Sequence, residues 1–114
     1  MNAVLVFIGG GLGAVCRYLV GNQFTPPFGT ICVNIIGSFL MGLILGVIGK
    51  NSESARLFLT VGFLGGFTTF SSFSMDTLKL FESGNILLAA GNVIGSVAIG
   101  LIAVYFGYSL RGNF

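Results

Sequence analysis

The residues from Gly62 to Ser74 carry most of the chemistry that this sequence offers. They read Gly-Phe-Leu-Gly-Gly-Phe-Thr-Thr-Phe-Ser-Ser-Phe-Ser, so hydroxyl side chains are interleaved with aromatic rings. A phenyl ring has a positive edge as well as a negative face, and Phe70 and Phe73 lie on one face of a helix. Ring edges and hydroxyl donors together can replace the hydration shell of a small anion without a fixed positive charge.

Two further series of polar residues follow a helical spacing of four. They are Thr30, Asn34 and Ser38, and then Asn92 and Ser96, with Gly100 next. A buried asparagine needs hydrogen-bond partners, which either another helix or a pore can supply, and the spacing leaves both possibilities open. Arg17 is the only basic residue embedded in an apolar segment, so it either reaches the membrane surface or draws anions into a vestibule.

Enzyme chemistry has little support. The sequence has no histidine, the commonest general base and metal ligand, and it shows no nucleophile pair. Cys16 and Cys32 lie in apolar segments and are expected to be small buried side chains. Gly9 to Ala14 loosely matches a dinucleotide-binding fingerprint, but the first acidic residue is Glu53, far beyond the expected spacing. We predict that the protein is not an enzyme.

The composition indicates a membrane protein. Of 114 residues, 54% are apolar and only 7% are charged, whereas a soluble domain carries about 25% charged residues. The net charge is +2 without a basic run, which makes nucleic acid a poor partner. The N-terminal apolar stretch lacks a positively charged start and an obvious cleavage site, so we expect a retained helix.

Four apolar segments approach or exceed the roughly 20 residues needed to cross a bilayer. They cover about 3–21, 29–49, 55–81 and 86–110 and form one channel domain of residues 1–114. Pro26-Pro27, the polar residues 50–54 and Ser83-Gly84-Asn85 separate them. The predicted fold class is therefore all-α, with four transmembrane helices in the cell membrane, and the short connections predict antiparallel neighbours.

Glycine is abundant, with 19 copies, and three small-residue motifs allow helices to approach closely in lipid. They are Gly9-x-x-x-Gly13, Gly42-x-x-x-Gly46 and Gly91-x-x-x-Gly95.

The third span is a poor continuous helix, because paired glycines are followed by β-branched threonines. A helix broken at mid-membrane is a recurring ion site. The alternative is a glycine kink in which serines bond to the preceding turn.

The charges hardly specify an orientation. Lys50, Arg56 and Arg111 fall on one side, and Lys79 and Arg17 on the other, which is a weak bias. Such a chain can insert both ways, and an antiparallel homodimer becomes possible.

Three motifs make the chain resemble the Fluc (CrcB) family of fluoride channels over its whole length. They are Gly10 to Tyr18 (GGLGAVCRY), Gly29 to Phe39 (GTICVNIIGSF), and Gly62 to Ser74, whose GGxTTFSxFS pattern is highly specific. The resemblance implies a dual-topology dimer with two antiparallel pores, which passively exports fluoride and so protects the cytoplasm.

The resemblance also implies roles for individual residues. Asn34 is similar to the pore asparagine, and Arg17 to the vestibule arginine. Phe70 and Phe73 are similar to the family's phenylalanine box, whose ring edges face fluoride. The expected hydroxyl positions in or beside the pore are Ser71, Ser74, Thr30, Ser38 and Ser96. The backbone carbonyls of Gly65 and Thr68, from both subunits, match the site of a structural sodium ion. The match weakens at Asn92 and Gly100, where family members often carry a tyrosine and a second hydroxyl.

Two other membrane functions are weighed against a channel. A proton-coupled exporter of the small multidrug resistance type needs an acidic residue in its first helix, but Glu53, Asp76 and Glu82 all lie elsewhere. An assembly subunit that transports nothing explains the glycines but not the polar series. The partner chain is either a second copy or a paralogue.

Overall fold

The chain forms four long helical spans. The computed structural model describes residues 2–48 and 52–110. The spans are α1 (Asn2–Gly21), α2 (Phe28–Ile48), a composite third span from Glu53 to Glu82, and the last helix, Ile86–Ser109. Each is long and apolar enough to cross a membrane, which confirms the predicted all-α, multi-pass architecture. Lys50 and Arg111, two of the charges used to judge orientation, lie outside the described residues.

The third span changes its helical form along its length. It begins with a short α3 (Glu53–Ala55), continues as a π-helix over Arg56–Leu64, and returns to α-helix in α4 (Gly65–Phe67). Thr68 and Thr69 are extended, with φ/ψ of −82°/155° and −149°/127°. The helix α5 (Phe70–Glu82) then begins, capped by the Thr69 hydroxyl, which accepts a hydrogen bond from the Ser72 N–H.

Glycines determine which helices pack closely. A Cβ atom on Gly9 would lie 2.5 Å from the Phe58 carbonyl oxygen and 3.1 Å from the Gly62 Cα, so α1 touches the third span backbone to backbone. One turn further along α1, Gly13 lies against Phe63 in the same way. Because the residue numbers rise together along both helices, α1 and the third span run parallel.

The other close pair is α2 with α6 (Ile86–Ser109). Gly100 of α6 lies near the Ser38 hydroxyl of α2, and one turn further along both helices Gly42 lies against the Val104 backbone, so the residue numbers rise together and this pair is also parallel. Consecutive helices are antiparallel, as the short loops require, but they are not the most closely packed. The glycine residues on each helix determine instead which neighbouring helix packs most closely.

One of the three glycine motifs makes no close contact within a single chain. Gly91 and Gly95 were expected to allow close packing, but a Cβ atom on either would meet nothing within 4 Å among the described residues. At these two positions α6 therefore has no close neighbour within residues 2–48 and 52–110. By contrast, Gly84 is required by its turn, because its φ of +88° is one that L side chains rarely adopt.

Candidate functional site

The extended residues of the third span are held by side chains from α1 and α2. The Thr69 N–H donates to Asn34 Oδ1 at 2.8 Å, and Asn34 Nδ2 donates to the Thr69 carbonyl at 3.0 Å. Arg17 Nε donates to the Gly66 carbonyl at 3.1 Å. A break leaves backbone groups without helical partners, and lipid cannot satisfy them. Asn34 and Arg17 therefore have a backbone contact besides the ion contacts predicted for them.

A groove of about 420 Å³ lies between α2, the third span and α6; we call it the polar groove. Its lining consists of Asn34, Gly37, Ser38, Met41, Thr68, Thr69, Phe70, Phe73, Ser96, Val97, Gly100, Leu101 and Val104. None of these residues is ionisable. The Phe70 and Phe73 rings are neighbours, with centroids 5.5 Å apart and planes tilted by 39°. The structure thus brings together five predicted pore residues: Asn34, Ser38, Phe70, Phe73 and Ser96.

A second cavity, of about 220 Å³, lies where α1 ends and α2 begins; we call it the vestibule pocket. Its polar lining consists of Arg17, Tyr18, Asn22, Thr30, Thr69, Ser72 and Asp76. Two predicted residues, Arg17 and Thr30, therefore lie here and not in the polar groove. Thr69 lines both cavities, so this residue lies between them, paired with Asn34.

Ser71 and Ser74 lie outside the lining of both cavities and are exposed. The Ser71 hydroxyl is 3.1 Å from that of Thr69. The predicted sodium positions differ from each other, since Gly65 is exposed whereas Thr68 is half-buried and lines the groove. The roles of these four residues toward an ion stay predictions.

A chain of hydrogen bonds joins α6 to α5. Asn92 is buried and donates from Nδ2 to Thr77 Oγ1 at 2.9 Å, while Ser96 donates to Asn92 Oδ1 at 3.2 Å. The Thr77 hydroxyl in turn donates to the Phe73 carbonyl at 2.8 Å. Asn92 therefore connects two helices, and it orients Ser96, which does line the groove.

The sequence reasoning did not single out Thr69, Ser72 and Asp76 as site residues. The three lie at positions i, i+3 and i+7, and all line the vestibule pocket. That helical spacing, together with an acidic residue inside an apolar span, is the signal that could have found them.

Comparison with known proteins gives consistent matches. The model of the family described as "CrcB-like protein, Camphor Resistance (CrcB)" matches residues 4–108. A protein of Nitrobacter hamburgensis named fluoride-specific ion channel FluC 2 is 46% identical, with 96% of each chain covered. The Agrobacterium fabrum protein named fluoride-specific ion channel FluC is 44% identical, with 99% of this chain and 98% of the relative covered. A Coxiella burnetii relative of the same name is 45% identical over 94% of each chain. All three are named as ion channels and not as enzymes.

Proposed function

The chain belongs to the Fluc (CrcB) family of fluoride ion channels, and we propose that it conducts fluoride passively along the vestibule pocket and the polar groove. One observation carries this proposal. Uncharged polar side chains follow one another from Thr30 and Thr69, past Asn34, to Ser38 and Ser96, beside the Phe70 and Phe73 rings.

The lining suits a small, strongly hydrated anion. Such an ion enters a filter only if the protein replaces its water, and leaves only if no single site holds it too tightly. Hydroxyl, amide and ring-edge donors supply many weak contacts. A lysine or arginine in the groove would bind fluoride too strongly, and the groove contains neither. Among the residues that line the two cavities, Arg17 is the one basic side chain; it lies in the vestibule pocket, where it draws anions toward the entrance.

Asn34 supports conduction in two ways. Its carboxamide pairs with both backbone groups of Thr69, which fixes the extended residues next to the path. An amide nitrogen has a second N–H, which is available to the passing ion. The same side chain thus positions the break and contributes to the lining.

A second chain completes the pore in this proposal. Phe70 is 78% exposed although it lines the groove, so a single chain leaves the ring uncovered. The weak charge bias fits insertion in both orientations, which gives an antiparallel dimer with two pores. The partner is a second copy of this chain or a paralogue of opposite orientation.

A structural sodium ion at the dimer centre belongs to the same proposal. Carbonyl oxygens at the end of a broken helix are suitable sodium ligands; Gly65 is the first residue of the three-residue α4 (Gly65–Phe67), and Thr68 directly follows its last residue. Gly65 is exposed, so its carbonyl group lies where two chains can share an ion. One chain offers two such oxygens, so equivalent residues of the partner must supply the rest. The ion would hold the two breaks together and take no part in conduction.

The direction of net flux follows from the gradient, because a passive channel carries fluoride out of a cell only when the internal concentration is higher. The test uses bacteria that lack their own fluoride exporter. Cells that express the chain should grow in fluoride medium and hold less internal fluoride than cells with an empty vector. Equal growth and equal internal fluoride, with the protein present in the membrane, would refute the export role.

A further inference from the structure

Asp76 of α5 is a buried acidic side chain for which conduction alone gives no reason. Only 6% of its surface is exposed, and its Oδ2 atom is buried without a hydrogen-bond partner. The side chain lines the vestibule pocket together with Arg17. Within residues 2–48 and 52–110, no ion pair of 4.0 Å or less joins the two.

A carboxylate at this position is costly unless a positive charge offsets it. It also repels the anion that the pocket is proposed to receive. The charged group that shares the pocket is the Arg17 guanidinium, whose Nε is already bonded to the Gly66 carbonyl. Its remaining N–H groups can face the pocket. The two charges thus share a cavity of about 220 Å³, which is large enough for several water molecules of about 30 Å³ each.

We propose that Asp76 is a specificity-determining residue of the vestibule, because its carboxylate offsets the charge of Arg17. With the two charges balanced, the pocket attracts a hydrated anion but does not bind that anion tightly. Without the Asp76 carboxylate, the Arg17 guanidinium would bind an anion more tightly and release it more slowly. Chloride, which gives up its water more easily than fluoride, would then compete better. This inference rests on the proposed fluoride conduction and adds a residue that governs entry.

The test compares Asp76→Asn with the wild type in liposomes. Initial fluoride efflux is measured at increasing fluoride concentrations, with and without chloride. We expect the half-saturating fluoride concentration to fall about tenfold and the maximal rate to fall as well, because one added net charge strengthens anion binding on that scale. Chloride should inhibit the variant more strongly than the wild type. Glu82→Gln is the matched control, because it removes an acidic group from the same helix at an exposed position and should leave all three quantities unchanged.

Two further variants separate charge from structure. Asp76→Glu keeps the charge and should retain the wild-type half-saturating concentration, whereas a merely structural role predicts the same losses in both Asp76 variants. Arg17→Gln leaves Asp76 unopposed and should raise the half-saturating concentration about tenfold. That variant carries the test if Asp76→Asn does not fold.

Unchanged half-saturation and chloride inhibition in the Asp76→Asn channel, or in the Arg17→Gln channel where only that variant folds, would overturn the inference. The proposed function would still stand, since the wild type conducts. A wild type that moves no fluoride would instead refute the proposed function itself.

Discussion

Asn34 is the residue that best connects the sequence pattern with the fold. Its place in the Thr30, Asn34, Ser38 series allowed either an interhelical contact or a pore position. The structure shows the interhelical contact, because the Asn34 amide pairs with the Thr69 backbone, and it also places Asn34 in the lining of the polar groove; its pore position stays a prediction. Residue type and spacing predicted a polar partner. They could not predict that this partner is a pair of backbone groups, since that depends on where the third span becomes extended.

Asn34→Ala should therefore affect folding and conduction together. The substitution leaves the half-buried Thr69 N–H without a partner, at a cost of about 1–3 kcal/mol, and removes one of the hydrogen bonds to the Thr69 carbonyl, which as the N-cap carbonyl also accepts the first bond of α5. We expect a lower unfolding temperature in detergent and strongly reduced fluoride efflux. Ser38→Ala is the matched control, because it removes a hydroxyl from the same groove and leaves the Thr69 pairing intact. If Asn34→Ala unfolds at the wild-type temperature, the pairing does not stabilise the break.

Phe70 and Phe73 provide the sharpest test of the groove. Replacing either with isoleucine keeps an apolar side chain but removes the positive ring edge. We expect fluoride efflux to fall at least tenfold while the dimer elutes unchanged from a sizing column. Phe81→Ile is the control, since Phe81 lies on the same helix, is 60% exposed and lines neither cavity. Wild-type efflux in both groove variants would remove the ring-edge contribution.

Helical elements were more predictable than their partners. The spans expected at about 3–21, 29–49, 55–81 and 86–110 lie close to the observed Asn2–Gly21, Phe28–Ile48, Glu53–Glu82 and Ile86–Ser109. Hydropathy locates a span because it measures how strongly a segment prefers lipid to water. It does not report the neighbouring helix, since lipid and protein are equally apolar. For this reason the parallel pairing of α1 with the third span, and the empty face at Gly91 and Gly95, became visible only in the structure.

The glycine contacts make a prediction about these elements. Gly13→Ala places a methyl group against the Phe63 backbone, and Gly42→Ala places one against that of Val104, so each should force apart a close helix pair. We expect both variants to lose several degrees of thermal stability in detergent. Gly91→Ala should be neutral or slightly stabilising, because its Cβ meets nothing within 4 Å and alanine favours the helix. Equal stability in all three would contradict the packing described here.

The dimer is a proposal about the whole molecule, and Gly65 offers a way to test it. A Cβ atom at Gly65 lies no closer than 3.7 Å to the Thr60 carbonyl oxygen, so valine should fit within one chain. If Gly65 carbonyls from two chains share a sodium ion, Gly65→Val should weaken the dimer and abolish any sodium dependence of its stability. Sedimentation in sodium and in a large organic cation measures this.

Gly11→Val is the control for that experiment, because Gly11 is also exposed and open. An unchanged dimer and an unchanged sodium response in Gly65→Val would count against the sodium assignment.

The proposed conducting path also belongs to the scale of the whole molecule. Its vestibule pocket and its polar groove use residues from all four spans, and no single motif contains them. The motif from Gly62 to Ser74 predicted the Phe70 and Phe73 rings and an interruption of the third helix. Asp76 entered the sequence analysis only as an acidic residue outside the first helix, which disfavours a proton-coupled exporter. Its burial in the same pocket as Arg17 depends on how α1 and α5 are placed around that pocket, which the local sequence does not encode.

The most direct test of this account is anion efflux from liposomes that contain the purified protein, with fluoride and chloride measured in parallel. The account predicts rapid fluoride efflux and no chloride efflux above that of protein-free liposomes, because the groove holds many neutral donors and no fixed charge. Equal efflux of both anions would contradict the proposed selectivity. Failure of a folded dimer to release fluoride would contradict the assignment of the groove as a fluoride path.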